Sequence, residues 1–156
     1  MKKALFFENA RFLHDKFGIT PLLYGSLGLE YLTNENLNSD DIDILIPNVF
    51  ITQKWQLFKS VLEECGYVLI DEKEHTFQKN GTCYSYASLE ELEDFAKIEL
   101  HDIECKNDCG VCFKLLSPEQ YLRVYTASSK DGYRINIRQK KDSDKISLIK
   151  RYLNEK

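Results

Sequence analysis

The run Asp41-Ile42-Asp43-Ile44-Leu45-Ile46, closed by Pro47, constrains this chain more than any other segment. Its alternation and its stop predict a β-strand. Successive side chains on a strand point to opposite faces. Asp41 and Asp43 therefore share one face, and Ile42 and Ile44 enter the core. At about 3.3 Å per residue, the two acids sit about 7 Å apart at Cα, close enough to converge on one divalent ion. Mg²⁺ prefers such oxygen ligands and shares them with substrate phosphates. Asp40 falls on the opposite face or in the preceding loop. An Asp-x-Asp pair by itself also occurs in solvated loops, so its meaning depends on what stands before it.

What stands before it is Pro21-Leu22-Leu23-Tyr24, a short buried strand, then Gly25-Ser26-Leu27-Gly28. A brief helix over 27–33 follows. Gly25 lets the backbone approach a ligand closely. The first N–H groups of the helix and the Ser26 hydroxyl are donors suited to phosphate oxygens. The spacing brings this turn and the two acids to the same edge of one sheet.

The rest of the chain fits around these parts. Phe6, Ala10, Leu13 and Phe17 form one stripe of a helix over 4–17 that Gly18 stops. Ile51, Trp55, Phe58, Leu62 and Cys65 form the stripe of a helix over 51–65, with Gly66 as its stop. A strand is expected over 67–70. Strands over 75–79 and 82–87 pair across Asn80-Gly81, a strong hairpin signal. Ser88-x-x-Glu91 reads as a capping box. A second hairpin turns near 107–110 and ends in 111–116. Ser117-Pro118-Glu119-Gln120 opens a helix. The last helix covers 142–154, with Ile146, Ile149 and Leu153 inward. This order predicts an α+β (mixed α/β) fold, one domain over residues 1–156.

Composition narrows the functional classes. A net charge of −4 argues against broad electrostatic binding to nucleic acid, though not against a small anionic ligand. No apolar run approaches the ~20 residues of a membrane span. Residues 1–8 lack a signal-peptide pattern, so a cytoplasmic protein is expected. The 5 cysteines are then reduced thiols.

Tyr24-Gly25-Ser26 followed by Asp41-Ile42-Asp43 resembles the signature of the DNA polymerase β-like nucleotidyltransferase superfamily. The nearest likeness is to small bacterial proteins that include aminoglycoside and lincosamide nucleotidyltransferases. Leu116-Ser117-Pro118-Glu119-Gln120-Tyr121-Leu122 and Arg138-Gln139-Lys140-Lys141-Asp142 resemble later elements of such proteins. The resemblance implies a mixed sheet flanked by helices. It implies that Gly25 and Ser26 hold ATP or another nucleoside triphosphate, and that Asp41 and Asp43 hold Mg²⁺ and are catalytic. The implied reaction transfers a nucleoside monophosphate to a hydroxyl of a small acceptor. The family pattern also implies a third carboxylate on the strand after the Asn80-Gly81 hairpin. That strand carries no acid, and Ser85 stands in the expected place. Glu74, Glu99 and Asp102 are candidate substitutes. The alternative is a nucleotide-binding or interaction module with weakened catalysis.

Two further groups compete for attention. Cys105, Cys109 and Cys112, with His101, form a candidate zinc site and so a zinc-stabilised binding domain. Lys130, Arg134, Arg138, Lys140 and Lys141 form a basic run, either a solvated face or a contact for triphosphate. His14 and His75 match no nucleophile pattern.

Overall fold

The computed structural model describes residues 2–130 and 132–154, with side chains for 2–128 and 143–154. Helix α1 (Lys2–Phe17) is followed by β1 (Leu22–Tyr24), α2 (Gly25–Thr33) and β2 (Ile42–Ile46). Then come α3 (Trp55–Glu64), β3 (Val68–Asp71), β4 (Thr76–Lys79), β5 (Thr82–Ser88) and α4 (Glu91–Ala96). The chain ends with β6 (Glu104–Asp108), β7 (Val111–Leu115), α5 (Pro118–Lys130) and α6 (Gly132–Asn154). The strands form one sheet in the order β3-β4-β5-β2-β1-β7-β6. β1 runs antiparallel to β2 and parallel to β7, and β2 runs parallel to β5, so the sheet is mixed as expected.

The two motif-bearing strands are neighbours in the middle of this sheet, with the end of β1 beside the start of β2 as expected. The hairpins displace the edges outward. β4 and β5 turn on Asn80 and Gly81, at φ 52° and 80°, the double left-handed geometry of a type I′ turn. β6 and β7 turn the same way on Cys109 and Gly110, at φ 52° and 72°.

The sheet carries a core on each face. On one, α1 and α3 press Phe6, Ala10, Leu13, Phe58 and Leu62 against Ile42, Ile44, Ile46, Phe77 and Tyr86. On the other, α4, α5 and α6 cover Leu22 and Leu45 with Leu92, Tyr121, Val124 and Ile149. Fully buried Asn9 ties α1 to the sheet, donating to the Tyr67 and Tyr86 hydroxyls at 2.9 and 2.8 Å.

Local expectations divide on tertiary context. Gly18 ends α1 as read, its N–H donating to the His14 carbonyl at 2.9 Å. Ser117 caps α5 as read, and the structure adds a reciprocal bond: Gln120 N–H donates to Ser117 Oγ at 3.2 Å, and Ser117 N–H donates to Gln120 Oε1 at 2.9 Å. The Ser88 box does not form. The parallel β2–β5 ladder extends through Ile46 and Ser88, and Leu89 N–H still donates to the Ile46 carbonyl at 2.8 Å. Ser88 is thus held in the strand, and α4 starts after Glu90, which accepts from Asn48 N–H at 2.9 Å instead. The 51–65 helix is shorter than expected, because Asn48–Ile51 forms a separate 3-10 turn and Cys65 lies just past the end of α3. The last helix is longer, starting at Gly132.

A polar tie fastens the β6–β7 hairpin to α2. The Tyr31 hydroxyl donates to Asp108 Oδ2 at 2.7 Å. That bond is the main reason the Asp108 carboxyl lies below its ordinary value near 3.8. Desolvation first, then Asp108, pushes the Tyr31 phenol up to about 12. A lowered carboxyl contributes its stability fully above its ordinary range and loses it as the pH falls through the folded value. Wild-type melting temperature should therefore fall below pH ~4 partly through this pair. Tyr31→Phe should flatten that part of the acid limb in a melting series from pH 7 to pH 2. An unchanged acid limb in the variant would show that the pair contributes nothing.

Candidate active site

Helices α4 to α6 cover only part of their sheet face. Beside them the exposed surface of β2, β4 and β5 forms the floor of a cleft of about 840 Å³. Gly25, Ser26, Asp41, Asp43, Ser85 and Lys145 all line it.

The first wall is the β1–α2 junction. Tyr24 pairs with Asp43 across the β1–β2 ladder, so the next residue, Gly25, lies against that carboxylate. Gly25 has a φ of 64°, and a Cβ there would run into the Asp43 side chain. Only glycine meets both conditions. Helix α2 starts here without a side-chain cap hydrogen bond. An α-helix leaves its first four N–H groups without intrahelical partners. The start of this helix and Ser26 both line the cleft.

The second wall carries the acids. Ile42 and Ile44 are fully buried and fix the strand, leaving Asp43 half-buried on the cleft side. Asp41 lies in a bend just before β2 rather than inside it, and is exposed. Both acids nonetheless line the one cleft. The loop leading to them is held by Glu30 of α2, whose Oε1 accepts from Leu37 N–H, Ser39 N–H and Ser39 Oγ at 2.9, 3.1 and 2.8 Å. No sequence pattern marks Glu30, because its partners lie seven and nine positions away in a loop. The donor set of Asp41 and Asp43 is entirely hard oxygen, which fits Mg²⁺.

Ser85 stands beside Asp43 in the β2–β5 ladder, as read, and no acid takes that place. Its hydroxyl shares a hydrogen bond of 2.8 Å with Thr76. The same row continues to Asp71, the next partner of Thr76. Asp71 is three strand steps from Asp43, about 14 Å at the usual spacing, too far to share one ion. Asp71 and Glu74 line the rim of the cleft. Glu99 and Asp102 are not cleft residues. Both lie within 3.4 Å of His101 Nε2, and these three exposed side chains form a separate cluster.

Lys145 is a residue the sequence pattern missed. Helical spacing on α6 marked Ile149, which is fully buried, and the partly buried Ile146 and Leu153. Lys145 lies beside that stripe, with its ammonium 5.1 Å from the Tyr125 ring centre. The side chains of Lys130, Arg134, Arg138, Lys140 and Lys141 lie outside the described residues.

The cysteines do not assemble with His101. Cys105 pairs with Lys114 and Cys112 with Asn107 in the hairpin, so the two thiols are diagonal neighbours, and Cys109 occupies the turn. Desolvation and the adjacent Asp108 push the Cys109 thiol above its ordinary value. The four-ligand cluster expected from the spacing is therefore not assembled among the described residues.

No protein-family model matches the chain. Two solved structures share its architecture. A nucleotidyltransferase-like antigenic protein from Paracoccidioides brasiliensis superposes with a TM-score of 0.63 at 18% identity, covering 94% of this chain and 74% of that one. ANT(2")-Ia, solved with adenylyl-2"-tobramycin, superposes with a TM-score of 0.59 at 12% identity, covering 98% and 90%. The uncharacterized protein YnaI of Bacillus subtilis (strain 168) is 37% identical over 148 residues, 95% of each chain. The chain therefore shares the nucleotidyltransferase-like fold of these two structures and belongs to the same family as YnaI.

Proposed function

We propose that the protein transfers a nucleoside monophosphate from ATP or another nucleoside triphosphate to a hydroxyl of a small acceptor, with Mg²⁺ as cofactor. The observation that carries this reading is one cleft lined by a helix start, two carboxylates and a lysine. A triphosphate needs N–H donors and positive charge. Gly25, Ser26 and Lys145 supply them. Asp41 and Asp43 would hold the ion, which when bound supplies Lewis-acid charge to phosphate oxygens. The half-buried position of Asp43 excludes part of the water that would otherwise screen it. The likeness to ANT(2")-Ia, solved with an adenylyl group joined to tobramycin, supports a small hydroxylated acceptor.

This reading also puts the chain in the cytoplasm, as a single nucleotidyltransferase-like domain. Among the described residues, no helix is long and apolar enough to cross a membrane. Ser85 favours a second reading, a nucleotide-binding module with weakened transfer, because among the described residues a serine and not a carboxylate pairs with Asp43 on the neighbouring strand β5. Titration calorimetry with each nucleoside triphosphate and Mg²⁺ tests both. Mg²⁺-dependent binding is expected. Binding by none of the four at millimolar concentration ends the nucleotide reading. Binding with no pyrophosphate release across a panel of polyhydroxylated acceptors selects the second.

A further inference from the structure

We propose that Tyr121 is the positioning residue of the Gly25-Ser26 turn, and that it sets the direction of the Ser26 N–H. This inference rests on the nucleotide reading above. Tyr121 projects from α5 and is fully buried beneath α2. Its hydroxyl donates to the Gly25 carbonyl at 3.2 Å. That carbonyl and the Ser26 N–H belong to one peptide unit. A peptide is planar and trans, so its N–H points opposite to its C=O. Anchoring the carbonyl on the α5 side therefore fixes the donor offered at the start of the helix. Gly25, at a φ of 64°, has more backbone freedom than any other residue type and gains most from such an anchor.

A second glycine opens the route for this bond. A Cβ at Gly28 would occupy the place of the Tyr121 hydroxyl, and would lie 2.7 Å from the Leu23 carbonyl oxygen. Gly28 thus serves the turn through Tyr121, 93 positions away in the chain. Burial raises the Tyr121 phenol well above its ordinary value, so it remains a donor at all physiological pH. The ring stacks on Tyr125 at 5.9 Å and 10°, and Lys145 lies against the Tyr125 ring. One helix, α5, thereby touches both the turn and the cleft cation.

The test uses the full chain, Mg²⁺, the four common nucleoside triphosphates and inorganic pyrophosphate. Tyr121→Phe keeps the ring and removes only the hydroxyl. Its affinity for the best-bound triphosphate and for pyrophosphate should fall together, by roughly fivefold, the scale of one neutral hydrogen bond. Gly28→Ala should weaken both ligands as well. Because both variants break the same bond, the double variant should bind no more weakly than the weaker single variant, rather than showing the product of two losses. The melting temperature of ligand-free Tyr121→Phe should stay near wild type. A wild-type protein that binds no triphosphate overturns the nucleotide reading and this inference with it. A wild type that binds, beside a Tyr121→Phe that binds equally well, overturns this inference alone. A Tyr121→Phe chain that fails to fold, or multiplicative losses in the double variant, assigns Tyr121 a purely structural role and also overturns it.

Discussion

Asp43→Asn is expected to weaken Mg²⁺-dependent nucleotide binding or transfer at least about a hundredfold, the scale of removing one preorganised electrostatic group. The substitution keeps size and shape and removes one charge from the donor set. The strand beneath it stays anchored by Ile42, Ile44 and Ile46, all fully buried, so the fold should persist. Asp40→Asn is the matched control. Asp40 is exposed in the loop before β2 and is not among the residues lining the cleft. Its loss should change affinity less than about twofold, since exposed substitutions usually stay within about 0.5 kcal/mol. Affinity by calorimetry and melting temperature, measured side by side, decide the matter. If Asp40→Asn impairs binding and Asp43→Asn does not, the site assignment fails.

The largest stability effect is expected at Phe58. Its ring centre lies 5.1 Å from those of Phe17 and Tyr86 and 6.4 Å from that of Phe77, so it joins α1, α3 and the sheet at one point. Phe58→Ala should cost about 3–5 kcal/mol, through lost burial and the cavity left behind. Against a total stability of about 5–15 kcal/mol for a typical protein, that is a large share. Leu57→Ala, one residue away and 54% exposed, should cost less than about 0.5 kcal/mol. Urea unfolding of both variants, with an unchanged slope, gives the comparison. Equal midpoints for the two would show that the aromatic cluster does not hold α3 to the sheet.

Local chemistry made much of this molecule legible. The alternation of Asp41 to Ile46 defined a strand because each apolar side chain needs burial every second residue. Asn80-Gly81 defined a hairpin because few residue pairs accept two left-handed conformations. Gly18 and the Ser117 cap marked helix ends that no distant contact overrides. The resemblance carried by Gly25, Ser26, Asp41 and Asp43 pointed to the fold that the sheet order and the solved neighbours then showed.

What the sequence could not give was everything set by pairing between distant segments. Ser88 has the composition of a helix cap, but its backbone was claimed by the parallel partner of β2. Cys105, Cys109 and Cys112 have the spacing of ligands, but strand register turned them into diagonal and turn positions. Of the candidate third acids, Glu74 lines the cleft and Glu99 and Asp102 lie outside it, whereas Asp71, unmarked, lines it in the row of Asp43. Glu30, Lys145 and Tyr121 act through partners that are loop backbone, an aromatic ring and a helix-start carbonyl. Periodicity records which face of an element is apolar. It does not record which distant backbone atom a polar side chain will meet, and that geometry alone brought a helix start, two acids and a lysine into one cleft.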